Sequence, residues 1–390
     1  TWQSFLNPVV IADADRTGYQ KTNNKHFLTN LSLTYDVPFL KGLQAKIMGS
    51  YQSYYTGTKS VAKEYKLYTY DSDSDTYSSV KKNSPSTIGN YLNNLDMLTL
   101  QAQMSYSNSF GKHNVSGLIA YEQHQSFGRV SGLSREYSFF TKDQVDMASL
   151  NNMKNKGMES QTASLSLIGR FNYDYASKYL AELAFRNDAS YRYAPGYRSG
   201  FFPVFSAAWR IAKEDWMQQY SSWLNELKIR ASIGLVGEDA GDPFQFISAY
   251  SLAGGAGYEF IDGVWTDGAS SPSIVNEKLS WYTSCTKDLG ITAELFANRL
   301  SFEFDVYQRD RNGLLSTRLT TLPNTFGASL PQENLNSDRV RGFDLTLGWR
   351  SHIGDFHYSI SGTLNYSRTM NQYIEEASAL NSYNYWKSGT

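Results

Sequence analysis

Residues 299–310 alternate without a break: Leu300, Phe302, Phe304 and Val306 take one set of positions, Ser301, Glu303, Asp305, Tyr307 and Arg309 the other. A pleated strand sends successive side chains to opposite faces, so this period of two predicts a strand with one apolar and one polar face. The same contrast sets Phe343, Leu345, Leu347 and Trp349 against Asp344, Thr346, Gly348 and Arg350 in 340–350. It recurs in 355–368, where Phe356, Tyr358, Ile360, Leu364 and Tyr366 oppose His357, Ser359, Ser361, Thr363, Asn365 and Ser367. In 178–188 Tyr179, Ala181, Leu183 and Phe185 oppose Glu182, Arg186 and Asp188, and 161–175 sets Leu165, Leu167, Phe171, Tyr173 and Tyr175 against Ser164, Ser166, Arg170, Asn172 and Asp174. Noisier alternation near 26–37, 43–53, 97–109, 114–125, 203–213, 224–235 and 279–295 brings the predicted strands to twelve.

The connectors have a rhythm of their own. Those near 38–42, 110–113, 175–178, 214–223, 296–298 and 351–354 are short; those near 54–96, 126–160, 189–202, 236–278, 311–338 and beyond 369 are long. A meander with its short turns on one rim and its long loops on the other is the layout of an outer-membrane barrel. The expected fold is therefore all-β, an antiparallel up-and-down transmembrane β-barrel with about 12 strands present. The polar faces mix Ser, Thr, Gly and Asn with charges of both signs, which suits a wet lumen. The apolar faces end in Tyr or Trp close to the short turns (Tyr173, Tyr175, Tyr179, Trp349), as an interfacial aromatic girdle does. In lipid an unpaired strand edge leaves backbone groups unsatisfied, so the complete sheet must close.

Composition narrows this reading. The chain has 390 residues, 36 basic and 37 acidic, for a formal net charge of −1, so no basic excess points to a nucleic-acid partner. Cys285 is its single cysteine and excludes an internal disulfide. Mean hydropathy is −0.47, and no run approaches the ~18 apolar residues of a membrane helix. Barrel strands need none, since they meet lipid only at every second residue. The 29 Tyr, 21 Phe and 8 Trp make 15% of the chain, a content that fits interfacial belts and also an aromatic-rich soluble β-protein. Residue 1 is not Met and Thr1–Val10 is not a signal peptide, so the expectation is a single barrel domain over 1–390, truncated at both ends.

Several segments together resemble a SusC-like TonB-dependent outer-membrane transporter. They are Asn7-Pro8-Val9-Val10 with Val37-Pro38-Phe39-Leu40-Lys41-Gly42-Leu43; Phe185-Arg186-Asn187-Asp188-Ala189-Ser190 with the run from Gly200 to Ile211; Trp223 to Gly234 with Val236-Gly237; Leu300 to Leu315; and Asn334-Leu335 with Val340 to Leu345. The resemblance runs through nearly the whole chain in order. It departs from the family at Tyr282, where an acidic residue usually follows the Trp. It implies a fragment of a 22-stranded, plugged barrel in the outer membrane of a Gram-negative bacterium. It further implies active import of a large nutrient, glycan or peptide. The expected partners are outer-membrane lipid, a SusD-like lipoprotein lid, and the TonB complex acting through a plug region absent from this chain. No catalytic residue and no cofactor is implied. Two other readings remain open from the residues: a passive porin-type channel and a soluble carbohydrate-binding β-protein.

Candidate chemistry is sparse. Asp71, Asp73 and Asp75 have the spacing of a calcium loop, but Thr76 stands where such a loop needs Gly and Lys82 where it needs Glu. They are read as a solvated extracellular loop, with calcium the lesser alternative. Ser60-Val61-Ala62-Lys63 and Lys387-Ser388-Gly389 echo motifs of penicillin-binding enzymes without their separation or helical context. His26, His113, His124, His352 and His357 show no metal-ligand spacing. Ligand contact is better assigned to loop aromatics and arginines: Tyr258, Phe260 and Trp265 in one loop, and Tyr191, Arg192, Tyr193, Tyr197 and Arg198 in another. Rings stack on sugar C–H faces, and the same rings also suit packing of loop on loop. Glu303, Asp305, Arg309, Asp344 and Arg350 are expected to face the lumen and tune solute passage or pair with one another.

Overall fold

A computed structural model describes residues 7–250, 257–269, 272, 274–319 and 330–376. Strands dominate: β1 (Gly18–Asp36), β2 (Leu43–Ala62), β3 (Tyr65–Asp71), β4 (Thr76–Lys82), β5 (Thr87–Phe110), β6 (His113–Glu136), β7 (Lys154–Tyr175) and β8 (Tyr179–Ser190). There follow β9 (Ser199–Arg210), β10 (Leu224–Glu238), β11 (Gly257–Ile261), β12 (Val264–Asp267), β13 (Tyr282–Leu295), β14 (Leu300–Thr317), β15 (Gln332–Ile353) and β16 (Phe356–Tyr373). Twelve of them form one sheet in the order β1-β2-β5-β6-β7-β8-β9-β10-β13-β14-β15-β16. Apart from two inserted hairpins this is chain order, the expected meander. The predicted strands are all present, and most run several residues further toward the long connectors than the alternation showed. Loop 54–96 holds the end of β2, the β3–β4 hairpin and the start of β5; loop 236–278 holds the β11–β12 hairpin. Length alone does not sort the rims, since the 211–223 connector on the short-turn side is longer than 191–198 on the other. Two short helices precede β1: α1 (Pro8–Ile11), capped by the Asn7 side chain, and α2 (Ala14–Thr17), capped by Asp13.

By contacts the chain forms two compact units. The first takes described residues of 7–32, 48–100 and 124–163. Its small core joins Val61, Ile88, Tyr137 and Ala148, with Tyr19, Phe140 and Val145 packed around them. Loop 137–153 is fastened there by Asp143. The Tyr19 hydroxyl donates to its carboxylate, and Lys59 Nζ reaches its Oδ2 at 3.0 Å and its carbonyl at 2.6 Å. The Tyr19 hydrogen bond and the Lys59 ammonium hold the Asp143 carboxyl down at about 2.

The second unit takes described residues of 33–47, 101–123 and 164–376. Its ladders fix which residues share a face. Across β13, β14, β15 and β16 one row reads Leu289↔Val306, Val306↔Phe343, Phe343↔Tyr366, and the row below reads Ile291↔Phe304, Phe304↔Leu345, Leu345↔Leu364. This apolar face is open: Leu183 and Leu289 are each 50% exposed and Ile360 69%. Each such side chain left in water costs about 1.5–3 kcal/mol relative to burial, so the face requires an apolar medium. On β16 it runs from Phe356 to Tyr366. That is about 33 Å along the strand and about 25 Å along the normal at the usual barrel tilt, the height of a barrel's apolar band. At its short-turn end the rings of Tyr175, Tyr179 and Trp209 lie in file, with centroids 6.3 and 6.4 Å apart. Glu214, in the adjoining connector, accepts from the Tyr179 hydroxyl at 2.6 Å and from Trp209 Nε1 at 3.0 Å. These bonds, the Tyr179 one first, hold its carboxyl below the ordinary range.

Candidate functional site

The polar face of the second unit is a lattice of charged pairs made by register. Arg230 on β10 lies opposite Gly290 on β13, which lies opposite Asp305 on β14. A Cβ on Gly290 would sit 2.0 Å from Asp305 Oδ1 and 2.7 Å from Arg230 Nε. The bare glycine is what lets the arginine cross β13. Arg230 Nη2 then donates to Glu303 at 2.7 Å and to Asp305 at 2.5 Å, and Nη1 to Thr292 Oγ1 at 2.5 Å. Asp344 accepts from Asn365 at 2.6 Å, and Arg350 Nε donates to the Asn298 carbonyl at 2.6 Å beside a short turn. Arg309 is exposed on the same face as Glu303 and Asp305. Thus two of the five expected lumen residues share one arginine, and the others stand apart. Further pairs repeat the pattern: Arg170–Glu182, Arg186–Asp188, Arg210–Glu226 and Arg311–Asp338. Between them a concavity of about 410 Å³ is lined by Ser116, Asn172, Glu182, Ser206, Lys228 and Asp288, among others. Small hydroxyls and amides beside paired charges offer hydrogen bonds of both senses to a polar solute.

Arg230 and Gly290 were not among the residues singled out from sequence. Arg230 occupies a polar position in a predicted strand, but its partners lie 62, 73 and 75 positions away. Period two gives the face and not the register.

The loop between β8 and β9 is built inward. Tyr193 is 1% exposed. Its hydroxyl accepts from Ala240 N at 3.1 Å, and its ring lies 5.9 Å from that of Trp281. Burial pushes its phenol up to about 12. Arg198 Nε donates to the Tyr193 carbonyl at 3.0 Å, while its own carbonyl accepts from Trp281 Nε1 at 2.9 Å. Arg192 donates to the Gly241 carbonyl at 2.6 Å and pairs with Asp239 at 3.2 Å. Tyr193, Arg198 and Arg192 therefore clamp this loop to 239–241 and Trp281. Tyr197 is 40% exposed, and Tyr191 meets Phe244 edge-on at 5.8 Å. Tyr258, Phe260 and Trp265 sit on the hairpin of β11 and β12, which among the described residues pair only with each other. Tyr258 and Phe260 stack edge to face at 5.1 Å and are among the most exposed rings of the described residues.

At the tip of the β3–β4 hairpin Asp71 accepts from Asp73 N at 3.0 Å and from Ser74 Oγ at 2.8 Å, while Asp75 accepts from the Tyr70 hydroxyl at 2.8 Å. Asp71 and Asp75 thus serve the turn itself. Among the described residues no three His, Cys, Asp or Glu side chains gather as a metal site.

A family model described as TonB dependent receptor-like, beta-barrel, matches residues 3–387. TonB-dependent receptor P3 of Formosa agariphila is 29% identical over 278 residues, 70% of this chain and 27% of that protein. TonB-dependent receptor SusC of Bacteroides thetaiotaomicron is 27% identical over 206 residues, 52% of this chain and 20% of that one. The chain spans about a quarter of the length of these curated relatives. Among solved structures, the RagAB peptide importer in its closed-closed state shares the fold, with a TM-score of 0.75 at 21% identity over 93% of this chain and 38% of that one.

Proposed function

The chain belongs to the TonB dependent receptor-like β-barrel family, and from that premise we propose that it forms part of the wall of an outer-membrane transporter importing a bulky polar nutrient, glycan or peptide. The observation that carries the reading is the two-faced sheet: an open apolar face about one bilayer tall, backed by a polar face of small residues and paired charges. The first needs lipid and the second suits a hydrated path. In this proposal the rings of Tyr258, Phe260 and Trp265, with Tyr191 and Tyr197, meet solute at the long-loop rim, while Tyr193, Arg192 and Arg198 hold the loop in place. Glu303, Asp305, Arg309, Asp344 and Arg350 line the path below. A SusD-like lipoprotein covers the mouth, and the TonB complex supplies energy through a plug in the longer protein. The reading assigns no catalytic step and no cofactor.

Growth of a strain deleted for the full-length gene, on a panel of defined glycans and peptides, tests this. Loss of growth on one class, restored by the gene and abolished again when TonB is removed, is expected. Uptake that survives loss of TonB would instead indicate passive diffusion, and recovery of the protein in the detergent-free soluble fraction would end the membrane reading.

A further inference from the structure

One row of the apolar face ends the hydrocarbon band abruptly. Two residues beyond Leu289, Val306, Phe343 and Tyr366, on the same face and toward the long connectors, the ladder reads Lys287↔Gln308, Gln308↔Arg341, Arg341↔Arg368. Three cations thus stand across four adjacent strands at one level. At a strand spacing of about 4.8 Å, Arg341 and Arg368 are neighbours, and Lys287 lies about 10 Å from Arg341.

Their chemistry differs from that of the polar face, where arginine after arginine is matched by a carboxylate. Lys287, Arg341 and Arg368 are exposed and make no ion pair among the described residues. Arg341 Nε donates only to the neutral Gln308 Oε1, at 2.8 Å. The acid one step further along, Asp310, is taken by Arg339 and by the Gln308 amide at 2.7 Å. Counting Arg339 against Asp310, the row keeps three positive charges unmatched, directly above aliphatic and aromatic side chains. Long basic side chains at such a boundary extend their polar ends to the headgroup level, and planar guanidinium forks suit phosphate oxygens.

We infer that this row binds the phosphate of an anionic outer-leaflet lipid, whose acyl chains lie along Leu289, Val306, Phe343 and Tyr366. The inference rests on the membrane reading above and adds to it a lipid class and a place.

The test titrates delipidated full-length transporter in detergent with monophosphoryl lipid A and with the same lipid after enzymatic dephosphorylation. Bound lipid is counted by native mass spectrometry. The wild type is expected to retain the phosphorylated lipid preferentially, and the K287Q/R341Q/R368Q variant to bind it at least roughly tenfold more weakly. K287R/R341K/R368K should keep most of the binding. Equal retention of the two lipids by the wild type overturns the proposal without any variant, as does unchanged affinity in the Gln variant. Complete displacement of the lipid by excess inorganic phosphate overturns it too, since that describes a free-anion site. Fractionation keeps the two readings apart: a protein in the outer membrane that treats the lipids alike loses only this site.

Discussion

At the scale of single residues the molecule is governed by side chains that reach across strands. Arg230 neutralises Glu303 and Asp305 only because Gly290 leaves the intervening strand bare. Gly290→Val should displace the guanidinium and cost about 1–3 kcal/mol through overpacking. Arg230→Met, which strands two carboxylates, should cost about 1.5–3 kcal/mol. Both are read as a lowered guanidinium midpoint of the detergent-solubilised full-length protein, and a midpoint unchanged in either would show that the pair contributes nothing. Tyr193 makes a second case. Tyr193→Ala should cost about 3–5 kcal/mol, whereas Tyr193→Phe keeps the ring against Trp281 and loses only the Ala240 bond, about 1–3 kcal/mol. Proteolysis of the 191–198 and 239–250 loops should rise in the first and barely in the second. Asp143 makes loop 137–153 sensitive to acid. Its carboxyl is held low in the folded chain, so its contribution is complete above the ordinary carboxylate range and is lost as pH falls from near 4 toward about 2. Hydrogen exchange in 137–153 should accelerate across that interval, and Asp143→Asn should remove the dependence.

Secondary-structure elements were the most legible layer. Strand identity and the facing of the side chains in the clearest strands followed from period two, because one face is apolar and the other polar, and strand order followed from the alternating connectors. Strand ends toward the long loops did not, for a physical reason. Past Val306 and Phe343 the outward positions become Gln308, Asp310, Arg341 and Arg339, so both faces are polar and the contrast vanishes while backbone pairing continues to Thr317↔Gln332. The β3–β4 hairpin was hidden likewise, since most of its residues on both faces are exposed and neither reads as a core. The loop aromatics were found by residue type, but type does not distinguish buried Tyr193 from open Tyr258. Facing is testable one residue at a time. Leu345→Arg, in the middle of the apolar band, should cost about 2–4 kcal/mol and lower membrane assembly. Thr346→Lys, turned to the polar face opposite Glu303, should assemble normally. Equal assembly of both variants would remove the assignment of faces.

For the whole molecule, the sheet and its inserted hairpins have separable duties. Among the described residues β11 and β12 pair only with each other, so deleting residues 257–267 from the full-length protein should leave heat-modifiable assembly intact while reducing uptake or lid retention. Loss of assembly would show instead that the hairpin is structural. The polar concavity and the pairs around it depend on the ladders, and no substitution confined to the hairpin should alter them.

The β14–β15 ladder continues well past the basic row, from Gln308↔Arg341 to Thr317↔Gln332. A hydrogen-bonded wall of that kind yields far less than a floppy rim. The residues that flank its far end, Arg318 and Glu333, are therefore carried on paired backbone, and a break in that pairing should loosen both strand tips together.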